Sequence, residues 1–317
     1  MNSIPPPTTA SEKRPALFRD ISMNIIAPAM DALPTARQTV GMPQLSATGL
    51  SENWLLKECG DRHWQAIAQS AGQNSSSLRD ALGRRLYAAF TCVHVRDAML
   101  CAVHENDELS LYTRWCGAGR SQRYSRHEVR SANSAIAQVE MLSVFVSREH
   151  AGDNRSVVRS ALAGERGVSP PSSGSLAALA QACAESAKAV RAGSWAECFG
   201  VQRERPVPLG GNAHEPAVLA SFDFMPCPNG DFNGAGLLYF ASFQAIVDRA
   251  LWHWGMLSHR QTTRERQIVY HGNANIGELL TVQLLAHRPT LHGKWLWCRL
   301  VRASDQQALA DIATHKA

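Results

Sequence analysis

Apolar residues recur at helical spacing after a glycine-rich turn in the second half of the chain. The turn, residues 231–236, contains a carboxylate, an amide and two glycines. The apolar residues after it that share one face of a predicted helix are Phe240, Phe243, Val247, Leu251 and Trp254. This pattern predicts a polar turn that leads into an amphipathic helix, with backbone N–H groups at the helix start that a ligand can approach.

Segments with strand-like patterns form two sets, and each set follows a predicted long helix. The first helix covers residues 52–69, with Ser51 as its N-cap. The predicted strands are residues 86–95, 109–116, 123–130 and 137–147 in the first set, and 266–271, 279–287, 294–302 and 308–314 in the second. Because no helix separates the strands within a set, we expect hairpin pairing and an α+β fold.

The two sets are related by a weak internal repeat. Residues 44–50 align with residues 231–237 at an offset of 187, and the same offset brings Asp61-Arg62 onto Asp248-Arg249. Self-similarity at one offset indicates two copies of one structural unit, although few identities support it and coincidence is the alternative. A long helix followed by an antiparallel meander, present twice, predicts a double hot-dog fold in which each sheet wraps its helix.

The chain divides into four predicted regions. Residues 1–40 are a flexible N-terminal tail and lead-in, and residues 41–165 are the first hot-dog unit. A Pro/Ser/Gly stretch begins the linker of residues 166–214, which contains a predicted helix at 176–192. Residues 215–317 form the second unit. Because the units supply each other's pairing partner, we expect a monomer with an internal pseudo-dimer, or a weak dimer.

Composition excludes several classes of protein. No apolar run approaches the roughly 18 residues of a membrane-spanning helix, and the N-terminus lacks a secretory pattern. The eight cysteines are dispersed without metal-ligand spacing, so we expect free thiols, no metal and a cytoplasmic location. The formal net charge of +5 suits acidic partners.

The densest basic run is predicted to be a solvated face of an edge hairpin. Its members are Arg114, Arg120, Arg123, Arg126 and Arg130. A carrier-protein or phosphate patch is the alternative interpretation. No nucleic-acid-binding motif accompanies these residues, so nucleic-acid binding is not expected.

Five motifs resemble a known family. They are Met42-Pro-Gln-Leu45, Gly49-Leu-Ser-Glu-Asn-Trp54, Gly60-Asp-Arg-His-Trp64, Asp231-Phe-Asn-Gly-Ala-Gly236 and Tyr270-His-Gly-Asn273. They are similar to those of the LnmK-type double hot-dog acyltransferase/decarboxylases of polyketide biosynthesis clusters, over about residues 40–160 and 215–317. The resemblance implies transfer of a methylmalonyl group from coenzyme A, its decarboxylation, and delivery of propionyl to an acyl carrier protein.

The second turn supplies the candidate groups for thioester chemistry. Asn233 and the backbone of Gly234 and Gly236 are the expected donors to a thioester carbonyl, and Asp231 is the expected acid/base or orienting group. The competing interpretation of Asp231 and Asn233 is a turn and helix cap.

Other candidate residues lie outside that turn. The resemblance implies a catalytic tyrosine, which we assign to Tyr87 at the start of a predicted strand; a structural tyrosine is the alternative. Ser46, the counterpart of Asn233 in the first turn, together with Asn53 and His271, is expected to bind substrate.

The predicted function is therefore acyl transfer with decarboxylation on thioesters of coenzyme A and an acyl carrier protein. Coenzyme A enters as part of the substrate, and no cofactor is expected. A thioesterase or a dehydratase on the same fold is the enzymatic alternative, because fold does not determine function. A non-catalytic module that binds acyl carriers is the alternative of another class.

Overall fold

The computed structural model describes residues 35–118, 121–132, 134–164, 174–201 and 216–317. The strands are β1 (Ala36–Thr39), β2 (Leu45–Ser46), β3 (Gly49–Leu50), β4 (Tyr87–Arg96), β5 (Glu108–Ala118), β6 (Gln122–Ser131), β7 (Ser134–Arg148), β8 (Val157–Arg159), β9 (Ala220–Phe224), β10 (Thr263–Tyr270), β11 (Leu280–Thr290), β12 (Gly293–Arg302) and β13 (Ala308–Lys316). The helices are α1 (Glu52–Ser70), α2 (Ser175–Arg191), α3 (Ser194–Phe199), α4 (Pro228–Asp231) and α5 (Phe240–His253).

One large antiparallel sheet joins the two halves of the chain. Its strand order is β1-β5-β6-β7-β4-β10-β13-β12-β11-β9, and β8 adds to β7. Outward from the central β4–β10 pair, the first half contributes β4, β7, β6, β5 and β1, and the second contributes β10, β13, β12, β11 and β9. Each half therefore arranges its five strands in the same order. The halves meet where β4 pairs with β10, from Val95 opposite Arg266 to Cys92 opposite Val269. This arrangement confirms the predicted double hot-dog fold and all eight predicted strands.

The long helices α1 and α5 lie on one face of the sheet and α2 lies on the other. Val93 and Ile268 of the central strands belong to the core that α1 and α5 complete. Cys92 and Val269, their neighbours in sequence, pack with α2 and α3 instead, because successive strand residues point to opposite faces. The predicted first helix, second helix and linker helix are confirmed, and Ser51 Oγ accepts the backbone N–H of Trp54 at 3.3 Å as the N-cap.

The two central helices approach each other closely. A Cβ at Gly60 would lie 2.6 Å from the Phe240 ring, so a side chain there would force α1 away from α5. Asn53 Nδ2 donates to the Ala241 carbonyl at 3.0 Å, which ties the start of α1 to the start of α5. The close approach leaves the halves packed as one unit.

A buried ion cluster also joins the halves. Arg266 on β10 is fully buried, and its Nε lies 2.7 Å from Glu52 of α1 while its Nη2 lies 2.8 Å from Asp248 of α5. Lys316 Nζ lies 3.2 Å from Asp248, so two cations face two carboxylates. Removing one member would leave an uncompensated buried charge, which costs about 3 to 5 kcal/mol.

The interpretation of the basic run as a solvated edge face is wrong for its central members. Strand β1 pairs with Glu108–Leu111 of β5, and β6 lies inside the sheet between β5 and β7. Arg123 is 2% exposed, and its guanidinium lies 5.1 Å from the centroid of the Phe145 ring. Arg126 is 7% exposed and donates to Gln138. Arg120 and most of the predicted N-terminal tail lie outside the described residues.

Across the described ranges, no helix has the length and apolar character needed to cross a lipid bilayer.

Candidate functional site

A groove opens where β4 runs past the end of β10. Pairing between the two strands stops at Cys92, so within the described ranges residues 87–91 of β4 have no strand partner on that side. Thr91 is an extra residue at a bulge between Phe90 and Cys92, which bends the strand here. The groove has a volume of about 980 Å³, and both halves line it. Among its lining residues are Tyr87, Phe90 and Thr91 from the first half, and Asn233, Gly234, Tyr270 and His271 from the second.

Tyr87 lies in this groove between two arginines. The Arg148 guanidinium is 5.3 Å and the Arg85 guanidinium 5.4 Å from the centroid of its ring, both within the range of cation–π attraction. Arg148 is held by Asn154 Oδ1 at 2.6 Å and by the carbonyl of Ala235 at 2.7 Å. Arg148 therefore couples the first half's tyrosine to the second half's turn.

The Asn233 side chain stabilises its own turn by accepting backbone hydrogen bonds. Asn233 Oδ1 accepts the N–H groups of Ala235 at 2.9 Å and Leu237 at 3.1 Å. Within the part of the chain that the structure describes, Asn233 Nδ2 has no hydrogen-bond acceptor, so it remains able to donate to a ligand. Gly236 adopts a left-handed φ of +69°, and a Cβ on Gly234 would meet nothing within 4 Å. Gly236 itself does not line the groove; its carbonyl accepts from Asn154 Nδ2.

Asp231 lies behind the turn and does not line the groove. Its carboxylate is 7% exposed and accepts the backbone N–H of Cys227 at 2.8 Å. Its carbonyl accepts the N–H of Tyr239 at 2.8 Å and the hydroxyl of Ser242 at 3.0 Å. Asp231 therefore stabilises the segment that leads into α5. This agrees with the interpretation of Asp231 as a turn and cap residue, the alternative to a catalytic role.

His271 lines the groove directly after β10 and contacts a buried carboxylate. Its Nε2 lies 2.9 Å from Asp311 Oδ2, and Asp311 also accepts from Trp297 Nε1 and Arg299 Nε, each at 3.0 Å. Burial opposes ionisation of Asp311, but the hydrogen bond from His271 and the charge of Arg299 outweigh it and hold the pKa of Asp311 below its usual range. An ionised Asp311 favours the tautomer with the proton on Nε2, which leaves Nδ1 of His271 as an acceptor.

Besides Gly236, two predicted substrate-binding residues lie away from the groove. Ser46 is exposed, and its hydroxyl donates to the carbonyl of Gly49 at 3.1 Å in the β2–β3 hairpin. Asn53 contacts α5, as described above. The structure thus brings together Tyr87, Asn233 and Gly234 with His271, and it separates Asp231 from them together with Ser46, Asn53 and Gly236.

Several residues of the groove were not found from the sequence. Asn273 clamps the second turn, because its Oδ1 accepts from the Leu238 N–H at 2.9 Å and its Nδ2 donates to the Leu238 carbonyl at 3.0 Å. Asn273 belongs to the motif at residues 270–273, so the sequence did carry a signal for it. The arginines that line the groove or its rim belong to no motif, and only tertiary contacts identify them; they are Arg85, Arg148, Arg155, Arg159, Arg191 and Arg302.

Across the described ranges, no three His, Cys, Asp or Glu side chains converge on a position that could hold a metal ion.

No protein-family model and no curated protein matches this sequence. Solved structures do match its fold. The chain has a double hot-dog fold. A 12:0-ACP thioesterase from Umbellularia californica is 10% identical, with a TM-score of 0.55, and the match covers 89% of this chain and 96% of that one.

Two bacterial structures agree with it. A protein described as an oleoyl thioesterase from Lactobacillus plantarum is 9% identical, with a TM-score of 0.59 and coverage of 90% of this chain and 95% of that one. An acyl-ACP thioesterase from Bacteroides thetaiotaomicron is 10% identical, with a TM-score of 0.50 and coverage of 89% and 96%. At these identities the likeness establishes the hot-dog fold.

Proposed function

We propose that this chain processes acyl thioesters in the groove between its halves, and that it transfers an acyl group from coenzyme A to an acyl carrier protein with decarboxylation, converting methylmalonyl to propionyl. One observation carries the proposal. Tyr87 lies in the groove with two guanidinium groups near its ring, and Asn233 of the other half lines the same groove with an Nδ2 that has no acceptor among the described residues. A nucleophile and an oxyanion donor are the central requirements of covalent acyl transfer.

In the first step, Tyr87 Oη attacks the thioester carbonyl carbon. The O–C bond forms, the C–S bond breaks, and coenzyme A leaves as its thiol. His271 Nδ1 takes the phenol proton and returns it to the departing sulfur. Asn233 Nδ2 donates to the carbonyl oxygen as it becomes negative, and Arg85 and Arg148 stabilise negative charge near the ring.

In the second step, the carboxylate carbon of the bound methylmalonyl group leaves as CO₂. The electrons of the broken C–C bond remain as an enolate, which the donors that held the carbonyl oxygen also stabilise. A proton from solvent then adds to the enolate carbon and gives propionyl. The carrier thiol attacks the propionyl carbonyl: its S–C bond forms, the Tyr87 O–C bond breaks, and the thiol proton passes to the Tyr87 oxygen and restores the phenol.

Hydrolysis is the second candidate reaction, and one contact favours it. The His271–Asp311 pair has the arrangement of a general base with its orienting carboxylate, so it could activate a water molecule at the same carbonyl. The solved structures with this fold carry thioesterase names, which supports the same reaction.

Intact mass spectrometry of the carrier protein distinguishes these reactions. With methylmalonyl-coenzyme A and the phosphopantetheinylated carrier, we expect a propionyl mass shift on the carrier. Tyr87→Phe keeps the ring and its arginine contacts but removes the nucleophile, so the shift should disappear. Tyr112→Phe, on a half-buried strand residue outside the groove, is the matched control and should react like the native chain.

The other outcomes assign the alternatives. A methylmalonyl adduct on the carrier would mean transfer without decarboxylation, and free acid with released coenzyme A would mean hydrolysis. A propionyl shift that persists in Tyr87→Phe would remove Tyr87 from the mechanism. No change with any acyl-coenzyme A would leave a binding module.

A further inference from the structure

The groove carries an excess of positive charge. Asp61 is the one carboxylate among its described lining residues, whereas five arginines line it. Two of these arginines have carboxylate partners: Arg155 Nε lies 2.8 Å from Glu278 Oε1, and Arg302 Nη1 lies 2.6 Å from Asp305 Oδ2. In the described ranges, the remaining three have no carboxylate partner; they are Arg85, Arg159 and Arg191.

Arg191 is fixed at the junction of the two halves. It ends α2, and its Nη2 donates to the carbonyl of Thr91 on β4 and to the carbonyl of Tyr270 on β10, each at 3.0 Å. Both bonds use the same nitrogen, so Nε and Nη1 remain available to a ligand. The guanidinium is therefore positioned in advance at the point where β4 and β10 separate.

Arg159 lines the same groove as Arg191 and carries the same charge. It ends β8, opposite Val146 of β7, and it is exposed. Partial burial lowers the pKa of Arg191; Cys92 opposes this shift, and the positive charge of Arg159 adds to it. An anion bound by both guanidinium groups would offset their mutual repulsion and accept charge-assisted hydrogen bonds from them.

We propose that Arg159 and Arg191, which line the same groove as Tyr87, form a phosphate-binding site for the pantetheine-linked substrate. Guanidinium groups bind phosphate oxygens in pairs and suit this ligand better than they suit a neutral amide chain. The site rests on the proposed function only in that a thioester of coenzyme A or of a carrier enters this groove. Phosphate groups of either source have the required chemistry.

Isothermal titration tests the site without any reaction. The ligands are coenzyme A, dephospho-coenzyme A, 4′-phosphopantetheine and pantetheine, which successively lack phosphate groups. Arg159→Gln removes one cation, and Arg114→Gln is the matched control because Arg114 is exposed on β5 and does not line the groove. We expect Arg159→Gln to weaken coenzyme A binding about tenfold without changing pantetheine binding, and Arg114→Gln to change neither.

The ligand series also identifies the phosphate. A loss shared by coenzyme A and dephospho-coenzyme A assigns the internal phosphates, a loss confined to coenzyme A assigns its ribose phosphate, and a loss that includes 4′-phosphopantetheine assigns the phosphate that a carrier shares. Arg159→Lys should recover part of the affinity, because it restores the charge without the paired donors.

Three results would overturn the site. They are an equal loss for pantetheine, an equal loss in Arg114→Gln, and no binding of coenzyme A by the native chain. A loss seen only with methylmalonyl-pantetheine, which has no phosphate, would assign the arginines to the acyl carboxylate instead. The reaction class is decided separately by the carrier mass, so failure of the phosphate site and failure of the proposed function remain distinguishable.

Discussion

The two ends of the central β4–β10 strand pair carry equivalent turns, but among the described residues the second turn borders a groove while the first is packed against its neighbours. Gly49 and Gly236 occupy the same position of the repeat at the offset of 187. A Cβ on Gly49, whose φ is +110°, would overlap the carbonyl oxygen of Leu100. A Cβ on Gly236 would meet only Arg148 Nη2, at 3.9 Å. Glycine at this position of the repeat is therefore packed against backbone at the first end and has space around it at the second.

The segments that follow the two central strands explain the difference. After β4, Ala98 donates to the carbonyl of Arg264, and Leu100, 3% exposed, packs into the core against the first turn. After β10, Asn273 clamps the second turn from the side, so that His271 and the neighbouring Gly272 line open space. Leu100 therefore fills the space at the first end, whereas Asn273 hydrogen-bonds to the second turn and leaves the neighbouring space unfilled.

The glycine pair gives the largest expected contrast between the two ends. Gly49→Ala combines left-handed strain with backbone overlap, so it should lower the free energy of unfolding by more than about 3 kcal/mol. Gly236→Ala meets only strain and should cost about 1 to 2 kcal/mol. Urea denaturation of both variants measures the difference. Equal losses would show that the first end is not closed by direct contact.

The equivalent polar residues of the two turns, Asn233 and Ser46, should differ in their effect on activity by a similar free energy. Asn233→Asp keeps the oxygen that accepts from Ala235 and Leu237 but loses the Nδ2 donor, so turnover should fall about 100-fold while stability changes little. Ser46→Ala, at the equivalent position of the closed end, should keep native turnover. Steady-state rates on an acyl-coenzyme A substrate test both variants. Native turnover in Asn233→Asp would exclude Nδ2 as an oxyanion donor.

A buried histidine pair lies beneath α1 and gives the first half its own pH dependence. His63 Nδ1 and His127 Nε2 share the Ser125 hydroxyl at 2.7 and 2.8 Å. Burial lowers the pKa of each to about 3 from 6.5, and at the repeat offset the residue of α5 that corresponds to His63 is Ala250. Between those values the unfolded chain binds more protons, so stability is lost as the pH falls below 6.5.

The expected loss is up to about 1.4 kcal/mol per histidine for each pH unit below 6.5. Urea denaturation at pH 7 and pH 5.5 measures it. His127→Gln should flatten the dependence, whereas His253→Gln, on an exposed residue of α5, should leave it as in the native chain. A native chain of equal stability at both pH values would contradict the buried neutral pair.

The smallest expected effect concerns Asp231. Asp231→Asn retains an oxygen that can accept from Cys227, so turnover should stay near the native rate and the loss of stability should be about 1 kcal/mol. Enzyme rates and thermal unfolding measure the two quantities. A 100-fold loss of turnover in a folded variant would instead show that the Asp231 carboxylate takes part in catalysis.

The strands and helices could be predicted because local patterns determine them. Alternation in residues 279–287 and the helical stripe from Phe240 to Trp254 depend on neighbours in sequence. The basic run shows where this fails, since alternation reports two faces of a strand but not whether another strand covers its edge. Arg123 packs near the Phe145 ring and Arg126 donates to Gln138, and both partners lie on β7, so their burial depends on a strand that sequence spacing does not identify.

The sequence by itself determined the α+β class and the turn that carries Asn233 and Gly234, because each depends on residues close together in the chain. It also indicated the repeat, because two local patterns can be compared without knowing how they pack. Tertiary structure alone decided which end of the repeat is open and which side chains meet there. Arg148 reaches Tyr87 from a different strand, Arg191 reaches the junction from α2, and Asp231 turns away from the groove to accept a local backbone N–H. These outcomes depend on contacts between segments that are distant in sequence, where no local pattern records the neighbour.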